Sequence, residues 1–103
     1  MDGQMKKGIL EMCILFQLSK KEMYGYEIMK LIKEAFPDVH EATIYTILRR
    51  LNINKHTETY YGETSNGPPR KYYKISSLGF NTLKDSIQEW DSMVDVVRML
   101  GIK

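Results

Sequence analysis

Polar groups that can bind a nucleic acid are concentrated in one short segment, residues 41–51. Its apolar residues fall on one face of a helix, and they are Ile44, Ile47, Leu48 and Leu51. The candidate contacts on the remaining surface are Thr43, Tyr45, Thr46, Arg49 and Arg50. Arginine pairs with phosphate or guanine, and hydroxyl groups bond to phosphates or base edges. The pattern predicts an amphipathic helix that contacts duplex DNA; the alternatives are a solvated face and, for Tyr45, a place in the core.

A second set of candidate contacts lies between two runs of strand-forming residues, 57–61 and 72–75. These runs predict a β-hairpin whose tip contains Gly67, Pro68 and Pro69, which break regular structure. The candidate contacts to the DNA backbone or minor groove are Asn66, Gly67, Arg70 and Lys71. A hairpin end that is merely solvated is the alternative.

Three further residues are candidates for phosphate contacts. Lys6 and Lys7 stand at the start of the first apolar helix, and Tyr24 stands at the start of the second. Ammonium groups, hydroxyls and free amides at a helix start can each donate to phosphate. The alternative for the two lysines is a solubilising N-terminus. We expect Tyr26 to pack against residues 41–51 rather than to be exposed.

Two helices carry more apolar surface than one small domain can cover. Residues 9–18 are apolar almost all round, so a second subunit is the expected cover for the far side. From Ser76 or Ser77 to about Leu100, apolar residues recur at steps of three and four, as in a coiled-coil seam. The predicted dimer-interface residues are Ile9, Cys13, Phe16, Leu83, Ile87, Trp90, Val94 and Val97.

The order of these elements predicts the fold class. Three helices, a hairpin and a long last helix make a chain that is mainly α with a small β-hairpin. This is a winged helix-turn-helix plus a long C-terminal dimerisation helix. The predicted division is a winged helix DNA-binding domain over residues 1–76 and the dimerisation helix over residues 77–103, together one structural unit. A dimer of this kind presents two helices to two half-sites on double-stranded DNA.

Several motifs closely resemble those of PadR-type transcriptional regulators, over nearly the whole chain. The motifs are Gly8-Ile9-Leu10-Glu11, Tyr24-Gly25-Tyr26-Glu27-Ile28, Thr43-Ile44-Tyr45, Leu48-Arg49-Arg50-Leu51 and Gly67-Pro68-Pro69-Arg70-Lys71-Tyr72-Tyr73. The single C-terminal helix is similar to that of the compact subgroup, which implies a homodimer and, for some members, a response to small aromatic or cationic compounds. The expected function is a DNA-binding transcriptional repressor that occupies a pseudo-palindromic operator.

The chain departs from the family pattern between the third helix and the hairpin. Where the family has a glycine followed by two apolar residues, this chain has Lys55, His56 and Thr57. We therefore expect a turn that is built differently and a first hairpin strand that is less firmly anchored to the core.

Trp90 is the only tryptophan, and it lies on the seam of the last helix. With Met12 and Met93 as adaptable walls, it is a candidate contact for a flat aromatic effector. Packing inside a dimer core is the ordinary alternative. The alternative function is a winged-helix adaptor for protein interaction without sequence-specific DNA binding, because a fold does not fix a function.

Composition and charge exclude several other classes. The formal net charge is only +2, so the placement of charge, not its total, must indicate the partner. Cys13 cannot form an internal disulfide, and its spacing to His40 and His56 does not match a metal site. No phosphate loop or nucleophile system is present, so we expect no enzyme, no cofactor and no metal. No apolar run reaches the roughly 20 residues that span a bilayer, so we expect no membrane partner and a cytoplasmic location.

Overall fold

The computed structural model describes residues 3–62 and 67–103. Within these ranges the elements are α1 (Gly3–Lys20), β1 (Met23–Tyr24), α2 (Gly25–Ala35), α3 (Glu41–Ile53), β2 (Thr57–Gly62), β3 (Arg70–Ile75) and α4 (Ser77–Met99). The predicted fold class is confirmed: helices dominate, α2 and α3 form the helix-turn-helix, and β2 and β3 form the wing. The molecule measures 55 × 30 × 21 Å, because α4 extends away from the rest.

The sheet has three strands rather than the two that were predicted. Its order is β1-β3-β2, and all neighbours are antiparallel. The additional strand β1 pairs Met23 with Tyr73 and Tyr24 with Tyr72. Two residues are too few to show an alternating pattern in the sequence, so β1 was not predicted.

The hydrophobic core lies where α1, α2, α3 and β3 meet. Each helix contributes residues at helical spacing, and α1 contributes Leu10, Ile14, Leu15 and Leu18. The apolar face predicted for α3 is confirmed, because Ile44, Ile47, Leu48 and Leu51 are each at most 1% exposed. These four residues hold the opposite side of α3 toward solvent.

The turn between α2 and α3 is fixed by one buried side chain and one hydrogen bond. Pro37 follows the end of α2, as expected from its ring, which cannot continue a helix. Val39 is 3% exposed, and its carbonyl oxygen accepts a hydrogen bond from Lys33 Nζ at 2.6 Å. The start of α3 is therefore tied to the last turn of α2.

The turn between α3 and β2 is built with Lys55 in the left-handed region, at φ 64°. Glycine adopts this conformation without a steric penalty, whereas lysine adopts it at a steric cost because of its Cβ atom. Thr57, at the start of β2, is 2% exposed and pairs with Ile75. The expectation of a loosely anchored first strand is therefore wrong, because β2 begins inside the core.

The last helix is capped by Ser76, one of the two starting positions that were predicted. The Ser76 hydroxyl accepts a hydrogen bond from the Gly79 amide at 3.0 Å and donates one to the Lys55 carbonyl oxygen at 2.6 Å. Among the residues of α4 only Gly79 and Leu83 are buried. The second half of the helix is thus left uncovered by its own chain.

Candidate nucleic-acid interface

The outer face of α3 carries most of the predicted contacts. Tyr45, Thr46 and Arg49 are exposed, and Thr43 is half-buried at the first turn of the helix. The Thr46 hydroxyl donates to the Ala42 carbonyl oxygen at 2.8 Å, which leaves its oxygen free to accept. This arrangement follows from the buried apolar stripe on the other side of α3.

The α3 face joins the sheet at Tyr73. A Cβ atom on Gly25 would lie 3.4 Å from Tyr45 Cε1 and 3.6 Å from Tyr73 Cε1, so both rings pack at the start of α2. Burial raises the pKa of Tyr73, the neighbouring Tyr45 raises it further, and the positive charge of Arg49 opposes this. Lys71 Nζ lies 5.7 Å from the centre of the same ring. Tyr45 of α3 and Lys71 of the wing therefore lie beside the same tyrosine.

Tyr45 was predicted either to contact DNA or to lie in the core. It is 38% exposed, and its ring packs beside Gly25. Burial raises its pKa, and the negative charge of Glu41 and the neighbouring Tyr26 raise it further. Its hydroxyl therefore stays protonated at neutral pH and is able to donate. Tyr26, which was expected to be packed, is 56% exposed, and that prediction was wrong.

Three tyrosines in register stiffen the base of the wing. Tyr60, Tyr72 and Tyr24 are paired across β2, β3 and β1. The rings of Tyr60 and Tyr72 stack at 5.4 Å, and those of Tyr72 and Tyr24 meet edge-on at 5.7 Å. The guanidinium carbon of Arg70 lies 4.5 Å from the centre of the Tyr24 ring. Arg70 and Tyr24, both candidate DNA contacts, are therefore in contact with each other.

The same cluster is tied to the loop that precedes β1. The Tyr60 hydroxyl donates a hydrogen bond to the Glu22 carboxylate, and this bond raises the pKa of Tyr60. This hydrogen bond links β2 to the residue that precedes β1, across the central strand β3.

The two lysines of α1 lie next to the α3 face. Lys6 and Lys7 line a hollow together with His40 and Thr43, and Lys7 lines a second hollow with Arg50. Lys7 is exposed and Lys6 is half-buried. The structure thus brings the predicted contacts of α1 and α3 to one side of the molecule.

Arg50, a predicted DNA contact, forms an ion pair with a carboxylate of α1. Its Nη2 pairs with Glu11 Oε1 of α1. The two residues are 39 positions apart, so the spacing of charges in the sequence did not reveal the pair. Of the other predicted contacts, Arg70 and Lys71 are exposed, and Gly67 has φ 87°. Asn66 lies outside the described residues.

Comparison with known proteins decides the family. The model of the Transcriptional regulator PadR-like family matches residues 14–85. This chain belongs to the PadR-like family. It is similar to the PadR-like transcriptional regulator of Bacillus cereus strain ATCC 14579, with 37% identity, a TM-score of 0.84, and coverage of 98% of this chain and 100% of that one. A Streptococcus transcriptional regulator is 31% identical, with a TM-score of 0.88 and coverage of 98% and 100%.

A protein of Lysinibacillus sphaericus described as uncharacterized is 36% identical over 94 residues, which are 88% of this chain and 86% of that protein. PadR-like proteins are transcriptional regulators and not enzymes. Among residues 3–62 and 67–103, no group of three or more His, Cys, Asp or Glu side chains could hold a metal ion. No helix in those ranges is long and apolar enough to cross a bilayer.

The predicted dimer residues of this PadR-like chain fall into three groups. Leu83 is 4% exposed in the core of its own chain, so its assignment to a subunit interface is corrected. Phe16, Trp90 and Val97 are 41%, 44% and 37% exposed. The half-buried members are Ile9, Cys13, Ile87 and Val94. Apolar residues spaced three and four positions apart along α4 do not indicate which end of the helix packs inside its own chain.

The candidate effector contacts of the PadR-like chain lie together. Met12 of α1 and Trp90 and Met93 of α4 line one groove, with Glu89 at its edge. Apolar walls and one carboxylate are a suitable lining for a flat, cationic molecule.

Proposed function

We propose that this PadR-like protein is a repressor that binds a pseudo-palindromic operator in double-stranded DNA as a homodimer, in the cytoplasm. The observation that carries the proposal is that Tyr45 of α3 and Tyr73 of the sheet meet at Gly25, with Lys71 of the wing 5.7 Å from the centre of the Tyr73 ring. A helix that enters the major groove and a wing that follows the adjacent backbone need their cations on one side of the molecule.

In this proposal α3 enters the major groove. Its exposed Tyr45, Thr46 and Arg49 face base edges and phosphates, while the wing places Arg70 and Lys71 on the sugar-phosphate backbone. Lys7 of α1, which lines a hollow with Thr43 and Thr46 of α3, adds a phosphate contact. Each cation that meets a phosphate displaces a counterion, which makes the affinity depend on salt.

Exposed apolar side chains support the homodimer. On the second half of α4, Trp90 is 44%, Met93 58%, Val96 56% and Val97 37% exposed, and Phe16 of α1 is 41% exposed. Exposed large apolar side chains in this number on a small domain favour burial against another subunit. A two-fold axis through α1 and α4 would set two copies of α3 on the two half-sites.

The groove between α1 and α4 supports an effector site. Trp90 offers an indole face, Met12 and Met93 offer adaptable walls, and Glu89 offers a charge opposite to that of a cation. Because α1 also reaches α3, a ligand in this groove could change the spacing of the two recognition helices.

The test is a mobility-shift titration with duplex DNA from upstream of the protein's own gene, at two salt concentrations. The proposal predicts binding that weakens as salt increases, and loss of binding in Arg49→Ala/Lys71→Ala. Lys30→Ala, a change of an exposed lysine on α2, is the matched control and should bind like the wild type. Sedimentation should show a dimer for all three proteins. An adaptor without a DNA function would be indifferent to the double substitution.

A further inference from the structure

Arg50 differs from the other cations among the predicted DNA contacts because it forms an ion pair with a carboxylate. Among residues 3–62 and 67–103, the ion pairs are Arg50 with Glu11 and Lys21 with Glu27. Lys7, Arg49 and Lys71 take part in neither of them. Within the described part of the chain, Arg50 is therefore the one candidate contact whose charge is already balanced by a carboxylate.

The position of the pair puts it within reach of DNA that is bound to α3. Arg50 lines a hollow on the outer side of α3 together with Lys7, Thr43 and Thr46. The side chains of Arg50 and Glu11 are 40% and 32% exposed, so solvent and a phosphate group can both approach them. Lys7, one helical turn before Glu11 on α1, is the other cation that lines this hollow.

A carboxylate and a phosphate compete for the same donors on a guanidinium group. A phosphate that approaches Arg50 must share or displace Glu11, and it meets a pair whose net charge is close to zero. Because Glu11 already balances its charge, Arg50 neutralises no phosphate and displaces none of the counterions condensed on the DNA. The other cations keep their full attraction for phosphate.

We propose that Glu11 is a built-in competitor for DNA phosphate at Arg50, and that it lowers the sequence-independent part of the affinity for DNA. The inference rests on the proposed DNA-binding function and deepens it. Glu11 acts through Arg50 and does not contact DNA itself, so it is a positioning residue. Its removal makes Arg50 an additional phosphate contact.

The salt dependence of DNA binding tests this proposal. Fluorescence anisotropy measures the affinity of full-length protein for a labelled duplex of random sequence at several salt concentrations. Glu11→Gln should make the slope of log affinity against log salt steeper by about 0.9, and should tighten binding about threefold at the low-salt end. Glu11→Ala is the second variant and should change the slope in the same direction. Thermal unfolding checks that both variants are folded.

Two controls separate the pair from a general loss of negative charge. Glu41→Gln removes an exposed carboxylate of α3 that takes part in neither ion pair, and it should leave the slope unchanged. In an Arg50→Gln background, Glu11→Gln should have no further effect on the slope. The proposal is overturned if Glu11→Gln leaves the salt slope of the wild type unchanged. It is also overturned if Glu11→Gln changes the slope by the same amount in the Arg50→Gln background. Failure of the wild type to bind any duplex would instead overturn the proposed function and this inference together.

Discussion

A Cβ atom on Gly79 would overlap the carbonyl oxygen of His56 and lie 2.9 Å from its carbonyl carbon. The same oxygen accepts a hydrogen bond from the Ser76 amide at 3.0 Å. The first turn of α4 therefore lies directly against the backbone of the turn that follows α3. This contact fixes the direction in which the proposed dimerisation helix leaves the winged helix.

The first prediction concerns Gly79→Ala. The added methyl group meets backbone atoms, which cannot move as a flexible side chain can, so we expect a loss of about 1–3 kcal/mol or more in the free energy of unfolding. Denaturant unfolding measures the change. Gly3→Ala is the control, because nothing lies within 4 Å of its Cβ position, and it should unfold like the wild type. Equal stability of the two variants would contradict the packing described for α4.

The second prediction concerns the left-handed residue between α3 and β2. Lys55→Gly removes a steric penalty at φ 64° and should raise the free energy of unfolding by about 0.5–1 kcal/mol, net of the greater flexibility of the unfolded chain. Lys55→Ala removes the same charge but keeps a Cβ atom, so it should give no such increase. The difference between the two variants in thermal or denaturant unfolding isolates the backbone effect, and a difference of zero would refute it.

The third prediction concerns a buried hydroxyl. Thr57 is 2% exposed, and its Oγ1 has no hydrogen-bond partner among the described residues. Thr57→Val keeps the shape and removes the unpaired group, so we expect a gain of about 1 kcal/mol in stability. Thr59→Val, on the same strand and half-buried, is the comparison and should change stability less. A loss of stability in Thr57→Val would show that the hydroxyl is bonded, for instance to a buried water molecule.

The fourth prediction concerns the reactivity of Cys13. Burial raises the pKa of its thiol above the ordinary value, so the native protein holds less thiolate than a free cysteine at every pH below that pKa. At pH 8 the native protein should therefore react with iodoacetamide more slowly than the unfolded chain. The rate should rise as the pH approaches the raised pKa. Equal rates for native and unfolded protein would contradict the burial of Cys13.

Local patterns in the sequence were sufficient for most of the fold. The apolar stripe of α3 and the start of α4 at Ser76 or Ser77 are determined by residues three or four positions apart, and both predictions agree with the structure. The strand β1 was missed because its two residues are extended only through pairing with Tyr72 and Tyr73, far along the chain. Periodicity does not register such a pairing.

The candidate site was less predictable for the same reason. The exposure of Arg49 follows from the helical stripe, but the Glu11–Arg50 pair joins two helices whose relative position the sequence does not display. Leu83 lies on the predicted seam of α4, yet α1 and the rest of the core cover it within one chain. Lys55 was recognised as a departure from the family pattern, while its left-handed backbone became visible only in three dimensions.

The most direct test of the central claim is hydroxyl-radical footprinting on a high-affinity duplex selected from a random library. The account predicts two protected stretches about 10 base pairs apart, or a multiple of that distance, because a dimer sets two α3 helices in successive major grooves on one side of the duplex. Both stretches should disappear with Arg49→Ala/Lys71→Ala at a concentration where that variant is dimeric. A single protected stretch, or protection that survives the double substitution, would contradict the account.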